Sequence, residues 1–399
     1  MNQLLAIGII IIVGFLGGLA AGKLKLPRIT GYIIVGVLLS PSLLNIIPED
    51  AIGHLAVITD LALGVIAYLI GGTLKAESLR GLGRSVAWIT LFQSLGAWFL
   101  VTVAFALLGP LIIPGETFWQ LYFPMAFIIG AISCATAPAA TMAIISEYKA
   151  RGPLTTTLLA VVALDDAIAV AAFAVAQGIC QPLVNETGSS PFSEMVGTPL
   201  LHMVEAAAVG VAFAAALVYI SKLVRTRPLL LVVVFGAIVL CTGVTIHLGV
   251  SPILACMAIG LVVTNKLGRE EMFLVVEEIE DVLYVIFFVL AGLHFDLSVL
   301  EISGILALLL VLFRCTGKYA GARAGATISR APSTVRKYLG FALLPKAGVT
   351  VGLALFAASE FPSFGLIMLN AVLASTVLNE LLAPPLTKYA LFKAGEASK

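Results

Sequence analysis

Residues 158–175 read LLAVVALDDAIAVAAFAV, an apolar run that contains two adjacent carboxylates, Asp165 and Asp166. The chain has no charged residue from 152 to 164 or from 167 to 185, and about 20 apolar residues are enough to cross a bilayer. An acidic side chain at the centre of a membrane helix costs roughly 2.5–3.5 kcal/mol on insertion scales. Two such side chains next to each other therefore indicate a functional site inside a membrane protein.

The composition points to the same class of protein. Of the 399 residues, 60% are hydrophobic and 11% are charged, with a mean hydropathy of +1.11. Soluble domains carry about 25% charged residues, so a water-soluble fold is excluded. The five cysteines show no metal-ligand spacing, and the glycines form no nucleotide-binding loop. The sequence thus predicts no enzyme, no cofactor and no nucleic-acid partner.

Cutting the chain at its polar and Pro/Gly-rich breaks predicts an all-α polytopic membrane protein. The first apolar run lacks a basic start and a cleavage pattern, so we expect it to be a retained helix. No soluble domain remains, and residues 1–399 form a single transmembrane unit. The predicted spans are 3–22, 29–47, 54–72, 86–109, 119–146, 154–180, 200–221, 229–247, 251–264, 273–293, 298–322, 337–359 and 364–390.

Lys and Arg residues alternate between the loops, and basic residues collect on the cytoplasmic side of membrane proteins. Every second loop is basic, whereas the loops between carry acidic residues and no Lys or Arg. We therefore expect an inner (plasma) membrane protein with its N-terminus outside and its C-terminus in the cytoplasm. The basic loop residues are Lys23, Lys25, Arg28, Lys75, Arg80, Arg84, Lys149, Arg151, Lys222, Arg225, Arg227, Lys266, Arg269, Arg323, Arg330, Arg336, Lys337, Lys388, Lys393 and Lys399; the acidic ones are Glu49, Asp50, Glu116, Glu186, Glu194, Asp296, Glu301 and Glu360.

An internal repeat is visible when the third span is placed on the tenth so that Asp60 matches Asp281. Gly71 then matches Gly292, and Gly36 and Gly260 take similar places in the second and ninth spans. Seven spans separate the copies, so the second copy is inverted, an arrangement found in many transporters. The predicted repeats are residues 1–180 and 229–390, joined by a linker helix at 200–221.

The fifth and twelfth spans correspond in this repeat, and both are interrupted. Pro138 breaks the fifth span, and Pro345 and Gly348 break the twelfth. Two broken helices that cross would present carbonyl oxygens and half-helix ends to an ion at the midplane of the membrane. Each break taken alone is equally compatible with a simple kink.

The three basic residues outside the loops are candidate partners for the carboxylates. Arg314 and Lys318 are four residues apart and share a helix face, and Lys318 is a plausible partner for an aspartate. For Arg314 we favour a structural ion pair or an interfacial position.

Other charges in the spans are left with open roles. Lys346 lies at the twelfth-span break, where it either neutralises the negative half-helix ends or replaces a counter-ion. The repeat places Glu380 opposite Asp166, although a structural role beside Pro384 and Pro385 remains open. Glu277, Glu278 and Glu280 fit a solvated helix entry better than a path for cations.

The chain resembles the monovalent cation:proton antiporters of family 2, the bacterial sodium/proton exchanger type, over nearly its whole length. The motifs that carry the resemblance are LPRITGYIIVGVLLSPS (26–42), ATAPAATMAI (135–144), ALDDAIAV (163–170), FFVLAGLHFDL (287–297), RCTGKYAGARAGA (314–326) and PKAGVTVGLAL (345–355).

This resemblance implies a homodimer with elevator-type alternating access and electrogenic exchange of Na⁺ or Li⁺ for protons. It makes Asp166 the ion and proton carrier, Asp165 the partner of Lys318, and Thr136 a further Na⁺ ligand. Lys346, Arg314 and Glu380 are possible modulators. Potassium/proton exchange, a sodium-coupled organic-anion symporter and a membrane sensor remain alternatives; the aspartate pair argues against the last two.

Overall fold

The computed structural model describes residues 2–24, 26–53, 55–73, 83–184, 192–224, 226–266, 269–346 and 348–397, and these residues form helices and loops without a strand. The main helices are α1 (Gln3–Lys23), α2 (Arg28–Leu39), α3 (Ala56–Thr73), α4 (Arg84–Ile112), α5a (Phe123–Ile132), α5b (Pro138–Glu147), α6 (Pro153–Val184), α7 (Phe192–Ser221), α8 (Arg227–Leu248), α9 (Pro252–Lys266), α10 (Glu271–Leu293), α11 (Leu300–Ile328), α12a (Ser333–Ala342), α12b (Gly348–Glu360) and α13 (Gly365–Lys393).

The all-helical membrane fold is confirmed, and the helices are consistent with thirteen spans. Within the described ranges, seven helices are long and apolar enough to cross a bilayer by length and composition. Five further apolar helices in the same ranges are shorter: Arg28–Leu39, Val57–Thr73, Phe118–Ile132, Pro252–Lys266 and Gly348–Glu360. Some loop charges used for the topology, namely Lys25, Lys75, Arg80, Arg225, Glu186 and Lys399, lie outside the described residues.

The second span is shorter than predicted, since α2 ends at Leu39 and not near residue 47. Ser40 precedes Pro41 and has an extended backbone (φ −62°, ψ 156°). A residue before proline is disfavoured in the α region, because the proline ring clashes with its backbone. The apolar residues that follow form a loop rather than two more turns of helix.

The helices pack into two groups. The core group contains α4, α5a, α5b, α6, α11, α12a, α12b and α13, with α4 packed along α11. The panel group contains α1, α2, α3, α7, α8, α9 and α10. Contacts within each group are far more extensive than contacts between the groups, where α6 packs on α7.

Glycines allow the closest helix approaches, and these approaches occur in matching places. A Cβ atom added to Gly36 of α2 would lie 2.7 Å from the Cα of Gly292 in α10. A Cβ atom added to Gly260 of α9 would lie 3.0 Å from the carbonyl carbon of Gly71 in α3. The contact between α2 and α10 is therefore repeated between α9 and α3, at positions that the sequence repeat relates.

Candidate functional site

Two interrupted helices cross in the middle of the core group. The interruptions span residues 133–137 and 343–347, and the backbone N–H of Ala137 donates a 3.0 Å hydrogen bond to the carbonyl of Pro345. Proline explains the first break: Ala137 is held in extended backbone (φ −73°, ψ 112°) and Pro138 opens α5b, a position where its missing N–H is not needed. The crossing leaves several backbone carbonyls without helical partners.

Arg314 satisfies these carbonyls. Its fully buried guanidinium donates to the carbonyl oxygens of Ser133 (3.2 Å) and Ala135 (2.6 Å) after α5a. It also donates to those of Leu344 (2.8 Å) and Pro345 (3.4 Å) after α12a. The C-terminal end of a helix carries a partial negative charge of roughly one half, so one guanidinium matches two such ends.

This arrangement corrects two expectations from the sequence. Arg314 contacts the negative half-helix ends, whereas the Lys346 ammonium group donates to Ser375 Oγ. Among the described residues, Arg314 has neither the carboxylate partner nor the interfacial position that we favoured for it, since its hydrogen-bond partners are backbone carbonyls and its side chain is fully buried. A guanidinium has five donors and can make all four of these hydrogen bonds, whereas an ammonium group has only three donors.

Asp165 lies beside the crossing in a buried ion pair with Lys318. The Lys318 Nζ atom is 3.2 Å from Asp165 Oδ2 and also donates to the Thr136 hydroxyl (2.5 Å) and the Cys134 carbonyl (2.6 Å). All three donors of the ammonium group are thus used. The Thr136 hydroxyl in turn donates to Asp165 Oδ2. Close packing of α11 on α4, through Gly317 and Gly321, brings the lysine to this depth.

Gln93 of α4 completes this cluster, and the sequence reasoning missed it. Its Nε2 atom lies 2.8 Å from Ser94 Oγ and 3.5 Å from Asp165 Oδ2. Gln93 is a fully buried amide in a membrane span, and the repeat offset that places Asp60 on Asp281 also places Gln93 on Arg314. Either signal would have singled it out.

Asp166 faces a different environment. It lies at the wall of a cavity of about 700 Å³ between the core and panel groups, together with Thr136 and Gly348. Its side chain is only 6% exposed, and Oδ1 has no hydrogen-bond partner among the described residues. Asp165 Oδ1 is likewise without a partner among the described residues, so the two carboxylates differ in their surroundings: Asp165 is paired with Lys318 and Thr136, whereas Asp166 lines the cavity.

The cavity wall contains acidic residues besides Asp166. Glu270, Glu277 and Glu280 of the panel group line it, as does Tyr284. The acidic run that we interpreted as a solvated helix entry therefore contributes to the wall of this cavity. Thr73 and Thr264, which also line it, adjoin the basic loops after α3 and α9.

Packed aromatic residues lie beside the site. Phe287 and Phe288 of α10 are fully buried, and Phe288 lines the cavity. A Cβ atom added to Gly352 of α12b would meet Leu63 at 2.6 Å and Phe287 at 3.5 Å.

Lys346 and Glu380 form a neighbouring buried cluster. The backbone N–H of Lys346 donates to Glu380 Oε1 (3.2 Å), and its Nζ atom donates to Ser375 Oγ (2.7 Å). Both side chains are at most 1% exposed. Of the predicted site residues, Asp165, Thr136, Lys318 and Arg314 thus meet at the crossing, whereas Lys346 and Glu380 lie beside it.

A family model described as "Sodium/hydrogen exchanger, transmembrane" matches residues 8–392. The chain belongs to the sodium/hydrogen exchanger family. The exchanger is thus a multi-pass membrane transporter of the monovalent cation:proton antiporter type. No curated protein matches the exchanger by sequence.

Two solved structures share the fold of this chain. The sodium proton antiporter MjNhaP1 from Methanocaldococcus jannaschii at pH 8 superposes with a TM-score of 0.77 at 20% sequence identity, covering 98% of both chains. A structure of MjNhaP1 from an electron-microscopy map gives a TM-score of 0.71 at 21% identity, with both chains covered completely. At these identities the likeness shows the fold alone.

Proposed function

We propose that the protein is a secondary sodium(lithium)/proton antiporter in which Asp166 carries either the cation or the proton. The observation that carries the proposal is the difference between two adjacent carboxylates. Asp165 is bound by Lys318 and Thr136, whereas Asp166 lines the cavity. Competition between Na⁺ and H⁺ for one carboxylate is the simplest way to couple their movements.

Thr136 is a second ligand in this proposal. It lines the cavity beside Asp166, and its hydroxyl connects Lys318 to Asp165. Through Thr136, a cation bound at Asp166 would thus affect the buried Asp165–Lys318 pair. The Asp165–Lys318 pair is a proton-binding centre in addition to Asp166. The protons carried in one direction can therefore bring more charge than the one sodium ion carried in the other, so we propose electrogenic exchange.

The two helix groups support an elevator movement. The site residues belong to the core group, whereas the acidic part of the cavity wall belongs to the panel group. Sparse contacts between the groups and the Phe287–Phe288 packing on one side fit a core that carries the ion past a fixed panel.

The orientation proposed from the basic loops makes this an inward-facing state. The cavity reaches Thr73, Thr264 and Glu270, next to loops that the positive-inside rule places in the cytoplasm. We also propose two inverted repeats, residues 1–180 and 229–390, because the Gly36–Gly292 and Gly71–Gly260 contacts match. A homodimer in the inner membrane is proposed from the resemblance and from the prevalence of two-fold symmetry.

The test is cation-driven dissipation of a preset pH gradient in proteoliposomes. Na⁺, Li⁺, K⁺ and choline are compared for the wild type, Asp166→Asn and the control Asp60→Asn, a membrane carboxylate that does not line the cavity. We expect Na⁺ and Li⁺ to collapse the gradient in the wild type and the control only, at a rate that a potassium diffusion potential changes.

Three results would contradict the proposal. A response to K⁺ alone would identify a potassium exchanger on the same scaffold. Unchanged activity of Asp166→Asn would remove Asp166 from the ion path. A gradient that no cation dissipates would contradict antiport itself.

A further inference from the structure

The wall of the Asp166 cavity contains a second buried oxygen without a partner. Thr350, in the first turn of α12b, lines the cavity and is only 1% exposed. Its Oγ1 atom has no hydrogen-bond partner among the described residues. Other buried side-chain oxygens in this part of the chain are also unpartnered, but only those of Asp166 and Thr350 belong to residues that line the cavity.

The position of Thr350 explains why its hydroxyl has no partner. A buried threonine inside a helix can donate to the carbonyl four residues earlier, as Thr90 does to Val86 at 2.8 Å. Because α12b begins at Gly348, the residue four before Thr350 is Lys346, which lies in the break. The hydroxyl therefore lacks a helical carbonyl to bind, and a buried hydroxyl without a partner is unfavourable unless a ligand supplies one.

The crossing brings this half-helix next to the aspartate. Asp166 lies against the backbone of Thr136 in the first break. The next residue, Ala137, donates its N–H to the carbonyl of Pro345 in the second break at 3.0 Å. The half-helix α12b begins three residues after Pro345, and Thr350 lies about 3 Å further along its axis.

Open space borders the start of α12b. Gly348 and Val349 line the cavity together with Thr350. A Cβ atom added to Gly348 would meet only Phe288 among the described residues, at 3.8 Å. The first turn of the half-helix is therefore accessible from the space that Asp166 also borders.

We propose that the Thr350 hydroxyl is a further ligand of the transported cation, which the second broken helix adds to the site of Asp166 and Thr136. This inference rests on the proposed function, because it uses Asp166 as the exchangeable site. A hydroxyl is a hard oxygen ligand of the kind that alkali cations accept. All three residues belong to the core group, so the ligands stay together if that group moves as one body.

An uncharged ligand distinguishes the cation from the competing proton. A proton on Asp166 needs only the carboxylate, whereas a cation binds to several oxygen atoms at once. The Thr350 hydroxyl thus strengthens the binding of the cation and not that of the proton. Its removal should raise the cation concentration for half-maximal exchange and leave the maximal rate nearly unchanged.

The experiment measures the Na⁺ concentration for half-maximal exchange in proteoliposomes with the full-length protein. Thr350→Val removes the hydroxyl at nearly constant volume, and we expect it to raise this concentration about tenfold. Thr350→Ser keeps the hydroxyl and should stay close to the wild type. Thr90→Val is the matched control, because the Thr90 hydroxyl is already bound to Val86 and does not line the cavity.

The melting temperature in detergent gives a second readout. A ligand stabilises the folded protein to an extent that depends on its affinity. Without Na⁺, Thr350→Val should melt at or above the temperature of the wild type, because an unpartnered buried hydroxyl is gone. Added Na⁺ should stabilise it less than the wild type. If Thr350→Val does not fold, Thr350→Ala removes the same hydroxyl and takes its place in both measurements.

The outcomes separate this inference from the proposed function. An unchanged half-maximal Na⁺ concentration for Thr350→Val, or an equal increase for Thr350→Ser or Thr90→Val, would overturn the inference. A fall in the maximal rate alone would overturn it as well. A wild type without Na⁺ or Li⁺ exchange, or exchange that Asp166→Asn leaves intact, would overturn the proposed function instead.

Discussion

Gly96 of α4 and Gly317 of α11 are equivalent positions in the two repeats that the sequence predicts, and they face each other where the two helices cross. A Cβ atom added to Gly96 would lie 2.6 Å from the Gly317 carbonyl oxygen, and one added to Gly317 would lie 2.5 Å from the Gly96 carbonyl oxygen. This reciprocal contact is what a two-fold axis between inverted repeats produces. It also sets the depth of Lys318, the next residue on α11.

Gly317→Ala is therefore expected to destabilise the protein and to weaken exchange. The added methyl group meets backbone, which cannot move aside as a side chain can, and overpacking of this kind costs about 1–3 kcal/mol. The measurement is the apparent melting temperature in detergent, with proteoliposome activity beside it. Gly304→Ala on the same helix is the control, since nothing lies within 4 Å of its added Cβ; equal melting temperatures for both variants would contradict the argument.

Arg314→Lys is expected to destabilise the protein although the charge is kept. Lysine has fewer donors and no planar fork, so it loses at least one of the four carbonyl contacts at the crossing and leaves a buried carbonyl unsatisfied. A loss of about 1–3 kcal/mol is expected. Thermal unfolding should show it, whereas Arg323→Lys, an exposed position on the same helix, should have little effect. A fully stable Arg314→Lys would mean that charge alone, without geometry, holds the crossing.

The features predicted correctly are those that depend on local sequence. Apolar length and the alternation of basic loops indicate the spans, and Pro138 indicates a break, because each effect acts within one turn or one helix. Asp165 and Asp166 stand out since charge in an apolar run is costly whatever surrounds it.

The features that were missed depend on where distant segments meet. The partners of Arg314 come from two breaks in opposite halves of the chain, so no local pattern shows that one guanidinium serves both. The acidic wall of the cavity needs the panel group to face Asp166. The length of the Lys346 side chain could be read from the sequence, but its anchor on Ser375 could not.

The carboxyl group of Asp296, in the loop between α10 and α11, is expected to contribute to stability in a pH-dependent way. Hydrogen bonds from the backbone N–H and the side chain of Ser298 hold the pKa of this carboxyl below its ordinary value of 3.8, with a smaller effect from Ser42. A lowered pKa stabilises the folded state above pH 3.8, and the benefit is lost as the pH falls through the lowered value.

Asp296→Ala should therefore lower the melting temperature at neutral pH, by an amount that shrinks below pH 3.8. The loss of a capping carboxylate costs about 0.5–1 kcal/mol. Melting curves from acidic to neutral pH test this, with the exposed Glu301→Ala as control. A difference that grows on acidification would show that the folded state does not favour the ionised form of Asp296.

Glu396 caps α6, the helix that carries Asp165 and Asp166. Its carboxylate accepts the backbone N–H groups of Leu154 (2.7 Å) and Thr155 (2.8 Å), and the Thr155 hydroxyl (2.8 Å). These are unpaired donors of the first turn, and the negative charge meets the positive end of the helix.

Glu396→Ala is expected to destabilise the protein by about 1–2 kcal/mol and Glu396→Gln by less, because the amide still accepts hydrogen bonds but has no charge. Hydrogen–deuterium exchange should rise in the first turn of α6, near residues 153–157, and Glu147→Ala on a neighbouring exposed site should leave it unchanged. The cation concentration for half-maximal exchange should not move, since about three turns of helix separate the cap from Asp165. A change in that concentration without faster exchange at the first turn would mean that Glu396 acts on the ion site by another route than the cap.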